Sequence, residues 1–342
     1  MTTIKDIARD CGVSANTVSC VLNNKPGEVS AHTRERVVAA MRRLGYRPNA
    51  AARRMVGKKT NTIGIADRYI MNENSDPFKV QLVEPLIHAA RVRHRHVLYY
   101  SGHVDEDGFT SFLDGRSDGL ICITGSIDQE EAAAFLQTGL PVVFIGTSQS
   151  QDEGRHAAGI DVDNEMGAYL GVSHLTSLGH RRIAMLQGVG ISGNEQRVAG
   201  YRRALSEAGI DVEERLIYPT IAWDVAAYKQ VIQALADPHG IRPTAIFCFN
   251  DVLAFAALKA ASDCGVKVPE RLSIVGFDDV AHSAVTNPPL TTVRQPLAWI
   301  GERAVEILIE IIENRLPRNY HEQVEPTLIV RKSTSPPEIV SA

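Results

Sequence analysis

The sequence lacks most of what would mark a membrane, secreted or metal-dependent protein. No apolar run approaches the ~18 residues needed to cross a bilayer. Met1-Thr2-Thr3-Ile4-Lys5-Asp6 lacks the basic start and apolar stretch of a secretory signal. The five cysteines (11, 20, 122, 248 and 264) are scattered, with no Cys-x-x-Cys pair and no neighbouring His cluster. That spacing argues against a zinc site or disulfide framework and for reduced thiols in a cytoplasm. No H-E-x-x-H, G-x-S-x-G or P-loop occurs. We therefore expect no metal, no cofactor and no catalysis. What remains is 44% hydrophobic and 22% charged over 342 residues, a globular composition too long for one core.

Charge is unevenly placed. Residues 1–60 hold twelve Lys and Arg against four Asp and Glu, a net of +8, which leaves −12 on the rest of a chain whose total is −4. A basic head on an acidic body implies that only the head meets a polyanion. Within the head, Ile4, Ile7, Ala8 and Cys11 follow helical spacing, and Gly12 suits a helix end. Ser14 is placed to cap a second helix with Val18, Val21 and Leu22 on its apolar face, leaving Ala15, Asn16, Ser19, Cys20 and Asn23 on others. Ser30 caps a third, whose inward positions are Val37, Met41 and Leu44. Two short helices about a glycine turn, braced by a third, make a helix-turn-helix, unless the segment is simply a three-helix bundle with a polar face. A helix with small and polar side chains at its exposed N-terminal end fits the major groove: Asn16 can pair bidentately with adenine and Ala15 can touch a thymine methyl. After Pro48, residues 50–57 are helix-prone but too short to be stable alone.

Three blocks in this order, Val13-Ser14-Ala15-Asn16-Thr17-Val18-Ser19, Leu44-Gly45-Tyr46-Arg47-Pro48-Asn49-Ala50 and Lys58-Lys59-Thr60, resemble the N-terminal signature of LacI/GalR-type transcriptional regulators. The resemblance implies that Ser14, Ala15, Asn16, Thr17, Cys20 and Asn23 face double-stranded DNA. It also implies a minor-groove hinge helix carrying Asn49 and Ala52, with Met55 as the apolar wedge. Cys20 stands where the family usually has Arg, which puts the identity of the operator half-site in question, and Met55 replaces the usual Leu.

From Thr62 onward, short β-branched runs alternate with amphipathic stretches: 62–66, 96–100, 119–123, 142–145, 182–186, 245–249 and 273–277. Continuous apolar strands separated by helices imply two doubly wound parallel-sheet subdomains, with a ligand at the strand C-terminal ends between them. Gly188-Val189-Gly190-Ile191-Ser192-Gly193 is a literal G-x-G-x-x-G, but the next strand, near 216–220, ends without the acid a dinucleotide site needs. The resemblance continues through Leu178–Ala184, Arg197–Tyr201, Phe249-Asn250-Asp251, Val275–Asp279 and Pro289–Val293. It implies a body similar to periplasmic sugar-binding proteins and carries over Arg197, Trp223, Asn250 and Asp278 as effector contacts. Each has a rival reading: a surface arginine, a core tryptophan, a helix cap, and a turn-former beside Asp279 as the contact. His180 reads as a structural or surface histidine, and Ile123 and Gly146 depart from the family's polar effector positions.

The expected fold is an all-α helix-turn-helix head (1–48), a hinge helix and linker (49–60), a periplasmic-binding-protein-like α/β body (61–332) and a tail (333–342) without a lac-type tetramerisation helix. The expected function is a cytoplasmic homodimeric regulator, a repressor, that binds a palindromic operator under control of a small, carbohydrate-like effector, with no membrane partner. The rivals are a transport-type binding protein and a nicotinamide-dependent oxidoreductase.

Overall fold

Thr3 opens the first helix, α1 (Ile4–Cys11), in the computed structural model, which describes residues 2–22, 27–46, 59–67, 77–100, 115–123, 137, 139–146, 158–220, 225–236 and 242–338. The Thr3 hydroxyl accepts the Asp6 N–H at 3.3 Å and the Asp6 carboxylate accepts the Thr3 N–H at 2.9 Å, a reciprocal capping box. Gly12 leaves the helix at φ 60°, a conformation that costs a side-chain-bearing residue more than glycine. Helices α2 (Ala15–Leu22) and α3 (Ala31–Arg43) follow, and Ser30 caps α3 by accepting the Thr33 N–H at 3.2 Å. Ile7, Val18 and Val37, one from each helix, are fully buried against one another with Cys11, Val21 and Ala40. This three-helix core forms a compact unit, Met1–Thr60, distinct from the unit Asn61–Ala342.

The second unit holds two six-stranded sheets. The first comprises β1 (Thr62–Asp67), β2 (His96–Tyr100), β3 (Gly119–Ile123), β4 (Val142–Ile145), β5 (Ala158–Val162) and β11 (His321–Val324), in the order β11-β5-β4-β3-β1-β2. The second comprises β6 (Ile183–Gly188), β7 (Ile217–Thr220), β8 (Ala245–Cys248), β9 (Ser273–Asp278), β10 (Thr291–Arg294) and β12 (Thr327–Ile329), in the order β12-β10-β9-β8-β6-β7. Every pairing is parallel except β10 with β12. The two orders are the same pattern used twice. Each reverses direction at one switch point, β1/β3 in the first sheet and β6/β8 in the second, where ligands of doubly wound sheets sit.

Helices cover the sheets: α4 (Pro77–Val92), α5 (Asn164–Ser177), α6 (Asn194–Glu207), α7 (Val225–Ala236), α8 (Asp251–Asp263) and α9 (Leu297–Ile312). Central strands such as β3, β4, β8 and β9 are buried at every position, which is why their sequences read as unbroken apolar runs. The chain passes from one sheet to the other three times, after β5, after β10 and between β11 and β12. Gly301 lets α9 lie against α4, since a Cβ there would meet Pro85 Cβ at 2.8 Å.

Residues after Lys332, read from sequence as a separate tail, pack into the second lobe. Ser333 is fully buried; its hydroxyl donates to the Ile274 carbonyl at 2.6 Å and its carbonyl accepts the Ile274 N–H at 2.8 Å. His180 is buried beneath the same segment, its ring nitrogens bonded to Thr244 Oγ1, Ser273 Oγ and the Ser335 carbonyl at 2.8–3.0 Å. Burial holds its pKa below the ordinary histidine value, as for a histidine that fastens structure.

Candidate functional sites

In the head, the start of α2 forms the exposed polar surface. Ser14 Oγ accepts the Thr17 N–H at 3.0 Å and lies 2.9 Å from the Thr17 hydroxyl, so both residues are engaged in capping. Ala15 and Asn16 stand exposed in the first turn, while Val18 and Val21 point into the core. Cys20 departs from the expected surface position. It is 5% exposed, and its thiol donates to Glu28 Oε2 at 3.0 Å. Asn23, Asn49, Ala52 and Met55 lie outside the described residues.

Two of the head's arginines have structural partners that the charge pattern did not reveal. Arg36 Nη2 donates to the Cys11 carbonyl at 2.5 Å and Arg34 Nη1 to the Val21 carbonyl at 3.5 Å. Both carbonyls belong to the last turns of α1 and α2, which have no intrahelical partner of their own. A cation at a helix C-terminus is also favoured by the helix dipole.

In the second lobe of the body, polar side chains gather at the β6/β8 switch point. Arg197, in the first turn of α6, is only 6% exposed. Its Nε donates to Asn164 Oδ1 at 2.9 Å and its Nη1 to the Phe249 carbonyl. The guanidinium carbon lies 3.6 Å from the Phe277 ring centroid and 4.2 Å from that of Phe249. A planar cation packed between two aromatic rings is held in one orientation. Asn164 in turn donates to Asp161 Oδ2 at 3.1 Å and the Val162 carbonyl at 3.2 Å. Desolvation raises the Asp161 pKa to about 7, against the lowering effect of the Arg197 charge and of the Val162 N–H and Asn164 amide.

Asn250 follows β8. Its Oδ1 accepts the Leu253 N–H at 2.9 Å, capping α8, and its amide nitrogen is a donor at the strand end. Asp278 ends β9 with φ 123° and accepts from Gln295 Nε2 at 2.7 Å. Asp279 is occupied differently, in ion pairs with Arg294 at 2.6 Å and Arg331 at 2.5 Å. Beneath them, fully buried Asp251 accepts from the Val280 N–H at 2.9 Å, Ser283 Oγ at 2.6 Å and Thr292 Oγ1 at 2.5 Å. A Cβ at Gly276 would fall 2.2 Å from that carboxylate. Arg197, Asn250 and Asp278 therefore come together; Trp223 lies outside the described residues. Asn164, Asp161, Gln295 and the two phenylalanines were not singled out from sequence.

Gly188 and Gly193 of the Gly188–Gly193 loop serve packing, while Gly190 turns at φ 76° with open space around it. Cβ atoms at Gly188 and Gly193 would meet Phe249 at 2.7 Å and the Asn164 side chain at 2.8 Å, and Ser192 donates from this loop to the Gly146 carbonyl of the first lobe. The strand that follows, β7, ends at Thr220 without an acid. Among the described residues no cluster of His, Cys, Asp or Glu could hold a metal ion, and no helix is long and apolar enough to cross a membrane. The cluster supplies donors from Arg197 and Asn250 and an acceptor from Asp278, without a nucleophile paired to a base.

Residues 3–49 match the family described as bacterial regulatory proteins, lacI family, and residues 172–334 match a periplasmic binding protein-like domain. The HTH-type transcriptional regulator DegA of Bacillus subtilis (strain 168) is 36% identical over 346 residues, covering 98% of each chain. The lac repressor dimer bound to operator and the anti-inducer ONPF superposes with a TM-score of 0.83 at 30% identity, over 98% of this chain and 99% of that one. The transcriptional regulator CelR–cellobiose complex gives a TM-score of 0.73 at 26% identity, over 97% of this chain and all (100%) of the other.

Proposed function

Since this chain belongs to the LacI family of bacterial regulatory proteins, we propose that it is a cytoplasmic repressor that grips a palindromic operator as a homodimer and answers to a polyhydroxylated effector held in its body. The observation that carries this reading is the first turn of α2. It presents Ser14, Ala15 and Asn16, small and polar, on a unit of net charge +8. Such a turn fits the major groove, and a two-fold pair of heads imposes its own symmetry on the DNA it reads. The hinge positions Asn49, Ala52 and Met55 belong to the same proposal, with Met55 as a minor-groove wedge.

For the effector, the cluster around Arg197 favours hydroxyl-rich molecules. Asp278 accepts from hydroxyls and the Arg197 and Asn250 side chains donate to them. CelR carries cellobiose on a similar fold, which supports a carbohydrate here. Trp223 is proposed to stack on the sugar face. Effector control is then a population shift, which requires different affinities for the effector in the operator-binding and operator-releasing states.

The test is titration of the full chain against pooled palindromic duplexes at two salt concentrations, with and without a panel of sugars. We expect a binding constant that falls steeply with salt, as phosphate contacts release counterions, and that changes with at least one sugar. Binding of sugar with no symmetric duplex selected at either salt would make it a stand-alone binding protein. A fluorescence change with a nicotinamide cofactor would point to an oxidoreductase instead.

A further inference from the structure

We propose that Asp161 sets the charge preference of the effector site: standing behind Arg197, it makes the second lobe favour an uncharged polyol over the corresponding acid. This deepens the effector reading above and rests on it. The planar fork of an arginine suits a pair of hydroxyls or a carboxylate, so the charge placed behind it decides between them. Asp161 is the penultimate residue of β5, the strand after which the chain crosses to the second lobe. Its Oδ2 accepts from Asn164 Nδ2 at 3.1 Å, and Asn164 Oδ1 accepts from Arg197 Nε at 2.9 Å. A single buried amide therefore joins the carboxylate of one lobe to the guanidinium of the other. The Val162 carbonyl, 3.2 Å from Asn164 Nδ2, fixes which way that amide faces.

The acids nearby do different work. Asp163 caps α5 by accepting the Met166 N–H at 2.9 Å, and Glu165 pairs with Arg203 on the surface. Asp161 instead faces inward. Desolvation raises its pKa to about 7, and the Arg197 charge is the strongest of the influences that pull it back, ahead of the Val162 N–H and the Asn164 amide. Once ionised, Asp161 repels an incoming anion and cancels part of what draws that anion to Arg197. A hydroxyl carries no net charge and gives up little. Asp278 adds to the bias, because a carboxylate that accepts from hydroxyls meets an acidic ligand as a like charge.

The experiment is titration calorimetry on the full chain at pH 8, pairing glucose, galactose and cellobiose with glucuronate, galacturonate and cellobionate. The wild type should bind its best sugar more tightly than the matching acid. Asp161→Asn keeps an acceptor for the Val162 N–H and the Asn164 amide but carries no charge. In it the sugar-to-acid affinity ratio should fall about ten-fold, a fraction of what two unit charges in contact near a protein surface would give. Asp161→Ser, a second uncharged acceptor, should move the ratio the same way, and thermal melts of both identify a variant that has not folded. Glu195→Gln is the control: Glu195 stands exposed in the first turn of α6, two residues before Arg197, so water screens its charge and the ratio should hold. A ratio unmoved in folded Asp161→Asn and Asp161→Ser, or moved as far by Glu195→Gln, would make Asp161 a structural bond only; this inference would then fail while the effector reading stands. A wild type that prefers an acid to its parent sugar would overturn it equally. Were neither sugars nor acids bound, the carbohydrate reading beneath it would fail, and this inference with it.

Discussion

On the function proposed for this chain, the head and the body solve the same problem, presenting polar groups to a ligand, in opposite ways. In the head, Ala15 and Asn16 are exposed and make no contact needed by the small core of Ile7, Val18 and Val37. In the body, Arg197, Asn250 and Asp278 are buried, and each is also a structural bond: to Asn164 and Phe249, to the end of α8, and to Gln295. A surface that meets a rigid duplex can be set by a capped helix alone. A site that encloses a small molecule must take its polar groups out of water, and then each needs a partner whether or not the ligand is present. Recognition and stability should therefore separate in the head and be coupled in the body.

The strongest test of that coupling is Arg197→Ala. It leaves Asn164 Oδ1 and the Phe249 carbonyl without their donor and removes the cation packed against Phe249 and Phe277. We expect the body to lose about 2–5 kcal/mol in urea unfolding, with effector binding abolished. A loss under ~0.5 kcal/mol, the usual scale for a surface side chain, would break the comparison. Asn16→Ala probes the other half. Operator affinity should drop about 5- to 150-fold, the range for one bidentate base contact. The melting temperature of the head should stay constant or rise slightly, since alanine is the better helix former. A variant that lost stability in step with affinity would show that the head, too, binds through its fold.

How much of this was legible in the sequence follows the same division. Helix α1 and the starts of α2 and α3 were readable because their signals are local: the caps at Ser14 and Ser30, the turn at Gly12 and the spacing of Ile7 and Cys11. The central strands declared themselves as apolar runs. Strands β11 and β12 did not, because as half-exposed edge strands they carry no such run, and β5 and β10 are short and interrupted by Asp161 and by Thr291-Thr292. Missing them hid the crossings after β5 and β10, where Asn164 and Gln295 sit. Those two residues bind Arg197 and Asp278 across 33 and 17 positions of sequence, and no local pattern announces such pairs. Cys20 failed for the same reason, since its burial depends on Glu28 returning from beyond the helix.

The smallest expected effect is the most diagnostic of the body's design. Asp161 is partly buried beside Arg197 and Asp163 and has its pKa raised to about 7, first by desolvation, while Arg197, the Val162 N–H and the Asn164 amide pull it down. Because the folded value lies above the unfolded value of 3.8, the folded chain holds a proton that the unfolded chain has released between about pH 4 and pH 7. Its contribution to stability is therefore fullest below pH 4 and is lost as pH rises through 7. Asp251, raised to about 6, acts in the same direction, whereas His174 and His180, lowered by burial, lose their contribution as pH falls. The wild-type pH profile mixes these, so the informative quantity is its difference from Asp161→Asn. That variant keeps an acceptor for the Val162 N–H and carries no charge to desolvate. Its melting temperature relative to wild type should climb between about pH 4 and pH 7 and level off above that. A constant offset across that range would mean that Asp161 is already ionised throughout and that Arg197 outweighs burial. The polar cluster would then be an ordinary solvated ion pair, and the contrast with the head would lose its physical basis.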